Sequence, residues 1–240
     1  MSFLGGSEAG DPVAPRNILM QSGDEMIIPG PCVLDVGTAA LPRSRDGGHT
    51  NYGHILRAGC IMAQITAAPQ KWVPCKLTTV TGGGSGSGSG AGSAVIPVVD
   101  ARFFIVGETI SVQPRETGKT PVRITRVISA VDYANNLITV AGGAIQYNTG
   151  DEVYVVTFSD GTTSAAGVEI PRGILVRGVS TKHTTDIRAA AAGTLYPKPI
   201  QIYRKAYINS DYALGDYAAC RATAVNHLGG IQWSDRQQSN

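Results

Sequence analysis

Side chains that could bind a metal are few in this sequence and are poorly clustered. His49 and His54 lie close together in a glycine-rich segment, but no Cys or carboxylate cluster accompanies them at the spacing of metal ligands. His183 stands alone, and His227 falls in the last turn of a predicted helix, where a cation interacts favourably with the helix dipole. We therefore predict no metal site and no cofactor.

The stretch RETGKTP ends like a phosphate-binding loop, because Gly118, Lys119 and Thr120 match the end of that motif. The position that should hold the first glycine is Gln113 instead. The stretch also lies between strand-like segments, whereas a phosphate-binding loop leads from a strand into a helix whose first amides face the phosphate. An exposed β-turn is the better interpretation.

Nucleophiles and carboxylates are present but are not arranged for catalysis. No Ser or Cys stands in the strand–turn–helix elbow that exposes a catalytic nucleophile, and Cys220 lies on the apolar side of a helical pattern. Asp100, Asp132, Asp151 and Asp160 occur in turn sequences, where carboxylates bond to neighbouring backbone amides. The sequence assigns no catalytic residue and predicts that the protein is not an enzyme.

The composition is typical of a turn-rich β protein. The 240 residues include 30 glycines, and only 16% are charged and 6% aromatic. The net charge is +2, and Lys and Arg are scattered, whereas nucleic-acid binding needs a concentrated basic stripe. No signal peptide and no apolar segment of the ~20 residues that span a membrane are visible, so we expect synthesis in the cytoplasm and no membrane partner. The four cysteines form no CxxC pair and are expected to be reduced, buried thiols, with disulfides as the alternative.

Residues 1–54 are predicted to form an extended N-terminal arm. Prolines recur throughout this segment and make a continuous helix implausible. Apolar triplets at residues 18–20 and 26–28 interrupt the polar sequence, and exposing them to water is costly unless a partner covers them. The segment is either an arm that binds another surface or a poorly ordered terminus.

The rest of the chain is predicted to be mainly β, with one C-terminal helix. Strand patterns occupy residues 55–79, and a Gly/Ser tract at residues 81–94 has the composition of a flexible linker. Residues 95–159 contain strand patterns between Asn/Gly/Asp turns, which predict a small antiparallel barrel or sandwich, with two strands about Gly107-Glu108. Helical spacing follows in DYALGDYAACRATAVNHLGG, and a strand-like IQW comes after it.

Four segments, taken in order, carry a family resemblance. They are LRAGCIMAQITAAPQKWVPCKL, RGILVRGV, YRKAYINSDYALGD and YAACRATAVNHLGGIQW. In residue pattern and in order they resemble the head decoration (capsid cement) proteins of lambda-like tailed bacteriophages. Members of that family join the first two of these segments by a short link, whereas a long insertion separates them here.

The resemblance implies an interrupted fold with a β-rich base domain. Residues 55–80 and 160–240 form this discontinuous base domain, and residues 95–159 form an inserted β-domain behind the 81–94 linker. Loop-closure entropy grows slowly with length, so an insertion at a surface loop is tolerable. We therefore expect the base domain to fold without the insertion.

The resemblance also implies a function on the outer surface of the phage capsid. Members of this family are homotrimeric virion structural proteins that bind the major capsid protein and stabilise the shell, with no cofactor. Their arms can add a strand to the capsid protein. The predicted capsid contacts in this chain are therefore the arm residues Arg16, Asn17, Ile18, Leu19, Met20, Met26, Ile27 and Ile28.

The alternative is an adhesion module, in which the inserted domain is displayed on the virion to bind a host surface or glycan. This hypothesis depends on aromatic side chains of the insertion being available. Phe103 and Phe104 are adjacent, so one of them must point outward unless both faces of the segment are covered.

Overall fold

The predicted fold class is confirmed: a computed structural model of the chain is mainly β, its two large sheets are curled, and the residues that it describes include one short helix. The structure describes residues 19–34, 55–82, 84–85, 94–114, 124–142, 145–159, 161, 164–180, 198–209, 215–222 and 227–234.

The elements follow one another in a chain of short strands. In chain order they are β1 (Leu19–Ile27), β2 (Cys32–Leu34), β3 (Ile55–Leu56), β4 (Ile61–Gln64), β5 (Lys71–Pro74), β6 (Leu77–Thr79), β7 (Gly84–Ser85), β8 (Ala94–Pro97), β9 (Thr109–Gln113), β10 (Ile124–Asp132), β11 (Leu137–Val140), β12 (Gln146–Tyr147), β13 (Glu152–Thr157), β14 (Pro171–Leu175), β15 (Val179–Ser180), β16 (Lys198–Ile200), β17 (Ile202–Asn209), α1 (Tyr217–Ala222) and β18 (Ile231–Ser234).

The eight-stranded sheet has the order β1-β17-β14-β4-β5-β2-β16, with β18 also paired to β17. Its pairs are antiparallel except β2–β5 and β17–β18. β4 and β14 are neighbours in this sheet, with Ile61 opposite Ile174, although all six strands of the six-stranded sheet lie between them in sequence. Strands from both sides of the predicted insertion therefore belong to one sheet.

Part of the predicted arm is also built into this sheet. β1 pairs with β17, and β2 lies between β5 and β16. Cys32 and Leu34 of β2 are buried, so this short strand contributes to the core. Residues 1–18 and 35–54 of the predicted arm lie outside the described ranges.

The six-stranded sheet, in the order β6-β13-β9-β10-β11-β8, curls until its two edge strands meet. Val80, directly after β6, bridges to Val98, directly after β8. Backbone hydrogen bonds flank this bridge, from Thr81 N to Pro97 O at 3.0 Å and from Val99 N to Thr79 O at 2.9 Å. Joining the edge strands satisfies backbone groups that an open edge would leave exposed. We call this unit the barrel-like sheet.

The barrel-like sheet shares its core with the eight-stranded sheet. Val73 of β5 and Ile65, just after β4, belong to the same buried cluster as Phe104 and Phe158 of the inserted segment. Phe103 instead packs into a cluster that contains Trp72. Both adjacent phenylalanines are thus buried, because the eight-stranded sheet covers one face of their segment and the barrel-like core covers the other.

Three local predictions need correction. Residues 101–108 form turns where a strand was predicted before Gly107, and β9 begins only at Thr109. α1 is a six-residue helix, and His227 lies outside it, with its amide donating to Pro171 O at 2.9 Å. Within the predicted linker, β7 pairs with β12, so Gly84–Ser85 is part of a small two-stranded sheet.

Candidate functional site

The predicted capsid contacts converge on one edge of the eight-stranded sheet, as far as the structure describes them. Arg16, Asn17 and Ile18 lie outside the described residues. Leu19 and Met20 begin β1, which is the last strand in the sheet order on that side. These contacts are therefore carried by a strand that is already paired to its own chain.

The apolar side chains at the end of β1 remain accessible. Met26 is 53% exposed and Ile27 is 41% exposed, whereas Ile28 is half-buried and its amide donates to Ile202 O at 2.9 Å. Tyr207 on the neighbouring strand β17 is also exposed. We call Met26, Ile27 and Tyr207 the edge-strand patch. The three side chains lie on two paired strands at one edge of the eight-stranded sheet.

The backbone of β1 is irregular along this edge. Gln21 lies opposite Tyr207 and Met26 opposite Lys205, so residues 22–25 of β1 bulge against a single residue of β17. Bulges on an edge strand hinder continuous pairing with another chain. A partner at this edge is therefore expected to contact side chains of the edge-strand patch and to add few ladder hydrogen bonds along the bulge.

A buried ion pair joins the two sheets. Lys76, between β5 and β6, is completely buried, and its Nζ donates to Glu108 Oε1 and to Phe103 O, the latter at 2.7 Å. The second carboxylate oxygen of Glu108 accepts from Ile105 N at 2.8 Å. Burial raises the pKa of Glu108 to about 7 although Lys76 lowers it, and burial lowers the pKa of Lys76.

A buried carboxylate fastens the helix to the barrel-like sheet. Asp216 precedes α1 and caps it, since its Oδ1 accepts from Ala219 N at 2.9 Å. Its Oδ2 accepts from Thr79 N at 2.8 Å and Thr79 Oγ1 at 2.7 Å, with Thr78 Oγ1 at 3.3 Å. One side chain therefore satisfies donors of both α1 and β6. Lys76, Glu108 and Asp216 form what we call the polar junction.

All four cysteines are buried and free, as predicted. Cys75 and Cys220 lie closest together, with their sulfur atoms 3.8 Å apart. The hydrogen bond with Cys75, followed by burial, raises the pKa of Cys220, and burial raises the pKa of Cys60. A thiol with a raised pKa is a poor nucleophile near neutral pH, so these cysteines are suited to packing.

The turn carboxylates act as the sequence predicts wherever the structure describes them. Asp132 Oδ1 accepts from the amides of Ala134 and Asn135, and Asp151 Oδ2 accepts from Asn148 N at 2.7 Å. Hydrogen bonds lower the pKa of Asp132, and the one from the Asn135 side chain has the largest effect. Asp100 accepts from the amide and guanidinium of Arg102, and Asp160 is not among the described residues.

The aromatic hydroxyl groups of the inserted segment face inward. Tyr133 donates to Phe104 O at 3.0 Å, Tyr147 to Val95 O at 2.7 Å and Tyr154 to Gln113 Oε1 at 3.2 Å. Together with the three buried phenylalanines, Phe103, Phe104 and Phe158, these are the aromatic side chains between residues 95 and 159. Of these side chains only Tyr133 is half-buried, and the others are buried.

The remaining motif residues fall outside the described ranges. They are Gly118, Lys119, Thr120, His49, His54 and His183. Among the residues that the structure does describe, His, Cys, Asp and Glu form no group of three that could hold a metal ion. No helix in the described part of the chain is long and apolar enough to cross a membrane.

The residues of the polar junction were not identified from the sequence. Asp216 had a recognisable signal, because an Asp directly before a helical pattern is a common N-cap. Glu108 was assigned to a turn, and Lys76 continues a strand-like run, so nothing local marks their pairing.

Comparisons with protein-family models, with curated proteins and with solved structures each found no match for this chain.

Proposed function

We propose that this protein is a virion structural protein that binds the outside of an assembled phage capsid as a homotrimer and stabilises the shell. One observation carries the proposal. The segments that resemble decoration proteins are far apart in sequence, yet β17, β14, β4 and β5 are consecutive neighbours in one sheet and β18 joins them. A fold interrupted by an insertion has this arrangement.

The edge-strand patch supplies a surface for the capsid. Met26 and Ile27 belong to the arm residues that the resemblance assigns to capsid binding, and both are exposed. Burying a large apolar side chain contributes about 1.5–3 kcal/mol before ordering costs are subtracted. Two such side chains in each subunit of a trimer make six apolar contacts at each decorated site. The trimer links the binding of its three subunits, so the overall affinity exceeds that of one subunit.

Stabilisation of the shell follows from mass action. A protein that binds only the assembled lattice lowers the free energy of that lattice in proportion to RT ln(1 + [L]/Kd). This function needs a rigid β body and an exposed contact surface, and it needs no catalytic group. The adhesion alternative gains no support from the inserted segment, because its aromatic side chains are buried or half-buried.

The test uses the full chain and expanded shells of its own phage from which the protein has been omitted. Light scattering is expected to give a trimer, free or on shells, and electron microscopy is expected to show density at local threefold positions. Met26→Ser/Ile27→Ser should bind shells at least about tenfold more weakly. Val127→Ser, which changes an exposed apolar residue of the barrel-like sheet, is the matched control.

Two results would contradict the proposal. The first is a dimer in solution combined with no threefold density on shells. The second is equal shell binding by the wild-type protein, the double variant and a chain lacking residues 1–18, since neither the exposed Met26 and Ile27 side chains nor the residues before β1 would then contribute to binding.

A further inference from the structure

A cleft on the eight-stranded sheet is lined by basic side chains. Its volume is about 250 Å³, and its walls are Ile28, Gln64, Trp72, Arg172, Arg204 and His227. None of these six residues is acidic. Within the described ranges, Arg172 and Arg204 take part in no ion pair, and both line the cleft.

Arg172 is placed in the cleft by a β-bulge. Pro171 and Gly173 lie opposite Ala63 and Met62, which are consecutive, so Arg172 has no partner on β4. Bulges of this kind redirect one side chain and recur beside binding sites. A Cβ atom on Gly173 would collide with Ile202 of β17, so glycine is needed for the close approach of the strands beside the bulge.

The Arg172 side chain lacks a hydrogen-bond partner where one is expected. Its Nε is shielded from solvent and has no acceptor in the structure. A buried guanidinium N–H without an acceptor carries a desolvation cost that an oxyanion in the cleft would remove. The amide of His227 donates to Pro171 O at 2.9 Å, which holds the imidazole beside the bulge as a further donor.

The other walls limit what can enter. Trp72 is almost fully buried and Ile28 is half-buried, so part of the cleft is apolar. Gln64 uses its side-chain amide to donate to Pro69 O, which fixes that wall. Forked guanidinium groups match carboxylates and phosphates in bidentate geometry. A small oxyanion fits this combination of charge, donors and volume.

We propose that this cleft is an oxyanion-binding site in which Arg172 and Arg204 hold a carboxylate or phosphate group beside Trp72. The group comes either from an acidic side chain of a protein or from free phosphate. The inference does not depend on capsid binding.

The experiment titrates the full chain with inorganic phosphate at constant ionic strength and follows the indole N–H signals by NMR. The chain has two tryptophans, and Trp233→Phe assigns the signal of Trp72. We expect a saturable shift of the Trp72 signal. Arg172→Gln and Arg204→Gln should each raise the apparent Kd at least about tenfold. Arg177→Gln, an exposed arginine that does not line the cleft, should leave the Kd unchanged.

Two further probes distinguish the sources. N-acetylglutamate amide supplies a side-chain carboxylate, and N-acetylglutamine amide is its neutral match. Tighter binding of phosphate assigns a free anion, and tighter binding of the glutamate derivative assigns an acidic protein side chain. The proposal is overturned if neither anion gives a saturable shift, if the glutamine derivative binds as well as the glutamate derivative, or if Arg177→Gln weakens binding as much as Arg204→Gln does. Arg204 is exposed, so its variant tests the site even if Arg172→Gln does not fold.

Discussion

The ammonium group of Lys76 bonds to the carboxylate of Glu108 at a place where neither side chain is exposed to solvent. Lys76 lies between the two sheets and Glu108 lies in the turn before β9. Desolvation offsets much of the attraction in such a pair, but removing one partner leaves a buried charge or a buried unsatisfied donor. The pair is therefore better suited to fixing how the sheets meet than to adding net stability.

Breaking the pair on one side should destabilise the fold strongly. We expect Lys76→Met or Glu108→Leu to lower the free energy of unfolding by about 3–5 kcal/mol. The double variant Lys76→Met/Glu108→Leu should lose less than either single variant, as measured by urea unfolding. Arg102→Gln, which breaks a pair with a partly exposed guanidinium, is the control and should cost less. Additive losses in the double variant would contradict the coupling.

The pH dependence of stability should report on Glu108. Folding raises its pKa from 4.5 to about 7, so between these pH values the folded state holds a proton that the unfolded state has released. The free energy of unfolding should therefore fall as pH rises through this window. Subtracting the profile of Glu108→Gln, which keeps Lys76, isolates this contribution. A difference profile that is flat or rises with pH would show that the pKa is not raised.

Much of the fold could be predicted from local patterns, whereas the polar junction could not. Alternation along residues 121–132 and the turn sequence YANN at residues 133–136 predicted β10 and β11, because both signals are local. The strand predicted before Gly107 was wrong, because the Ile105 amide donates to the nearby Glu108 carboxylate and the Phe103 carbonyl accepts from Lys76 instead of from a neighbouring strand. The pairing of Lys76 with Phe103 and Glu108 joins distant parts of the sequence and leaves no periodic trace.

The candidate binding residues divide in the same way. The apolar triplet at residues 26–28 is visible in sequence, and two of its members are exposed. The position of β1 on the sheet edge was not predictable, because it depends on pairing with β17 near the other end of the chain. Arg172 and Arg204 looked like scattered charges, since only the bulge and the sheet order bring them to one cleft.

Removing the carboxylate of Asp216 should loosen the helix and β6 together. Asp216→Ala deletes the cap of α1 and the acceptor of Thr79, and we expect a loss of about 2–4 kcal/mol in the free energy of unfolding. Asp216→Asn should lose less, since one oxygen remains. Ala218→Gly, at an exposed position of the same helix, isolates helix propensity and should cost about 1 kcal/mol. Equal losses for Asp216→Ala and Ala218→Gly would rule out the link to β6.

The thiols should be protected in the folded protein. Because all four are buried and burial or hydrogen bonding raises the pKa of Cys60 and Cys220, we expect slow reaction with a disulfide reagent in native buffer and complete reaction in denaturant. Ala130→Cys places a thiol at an exposed position and should react fast. Rapid reaction of the native wild-type thiols would contradict the buried arrangement.

Deleting residues 81–159 tests how independent the base domain is. The resemblance predicts that it folds alone, but the deletion exposes Ile65 and Val73 and leaves Lys76 without Glu108. We therefore expect the shortened chain to be less stable than wild type, and Lys76→Met in that chain to recover part of the loss. Circular dichroism and urea unfolding measure the stability of the shortened chain with and without Lys76→Met. If Lys76→Met brings no recovery, the buried ammonium group is not what limits the shortened fold.

The bridge between Val80 and Val98 also determines what the Gly/Ser tract contributes. The bridge and its flanking hydrogen bonds hold residues 79–81 against residues 97–99, so the two edge strands on either side of the tract are joined without it. Covalent continuity through the tract is then dispensable. Two separately expressed halves, split within the tract, should reassemble by complementation, and a permuted chain should accept new termini there.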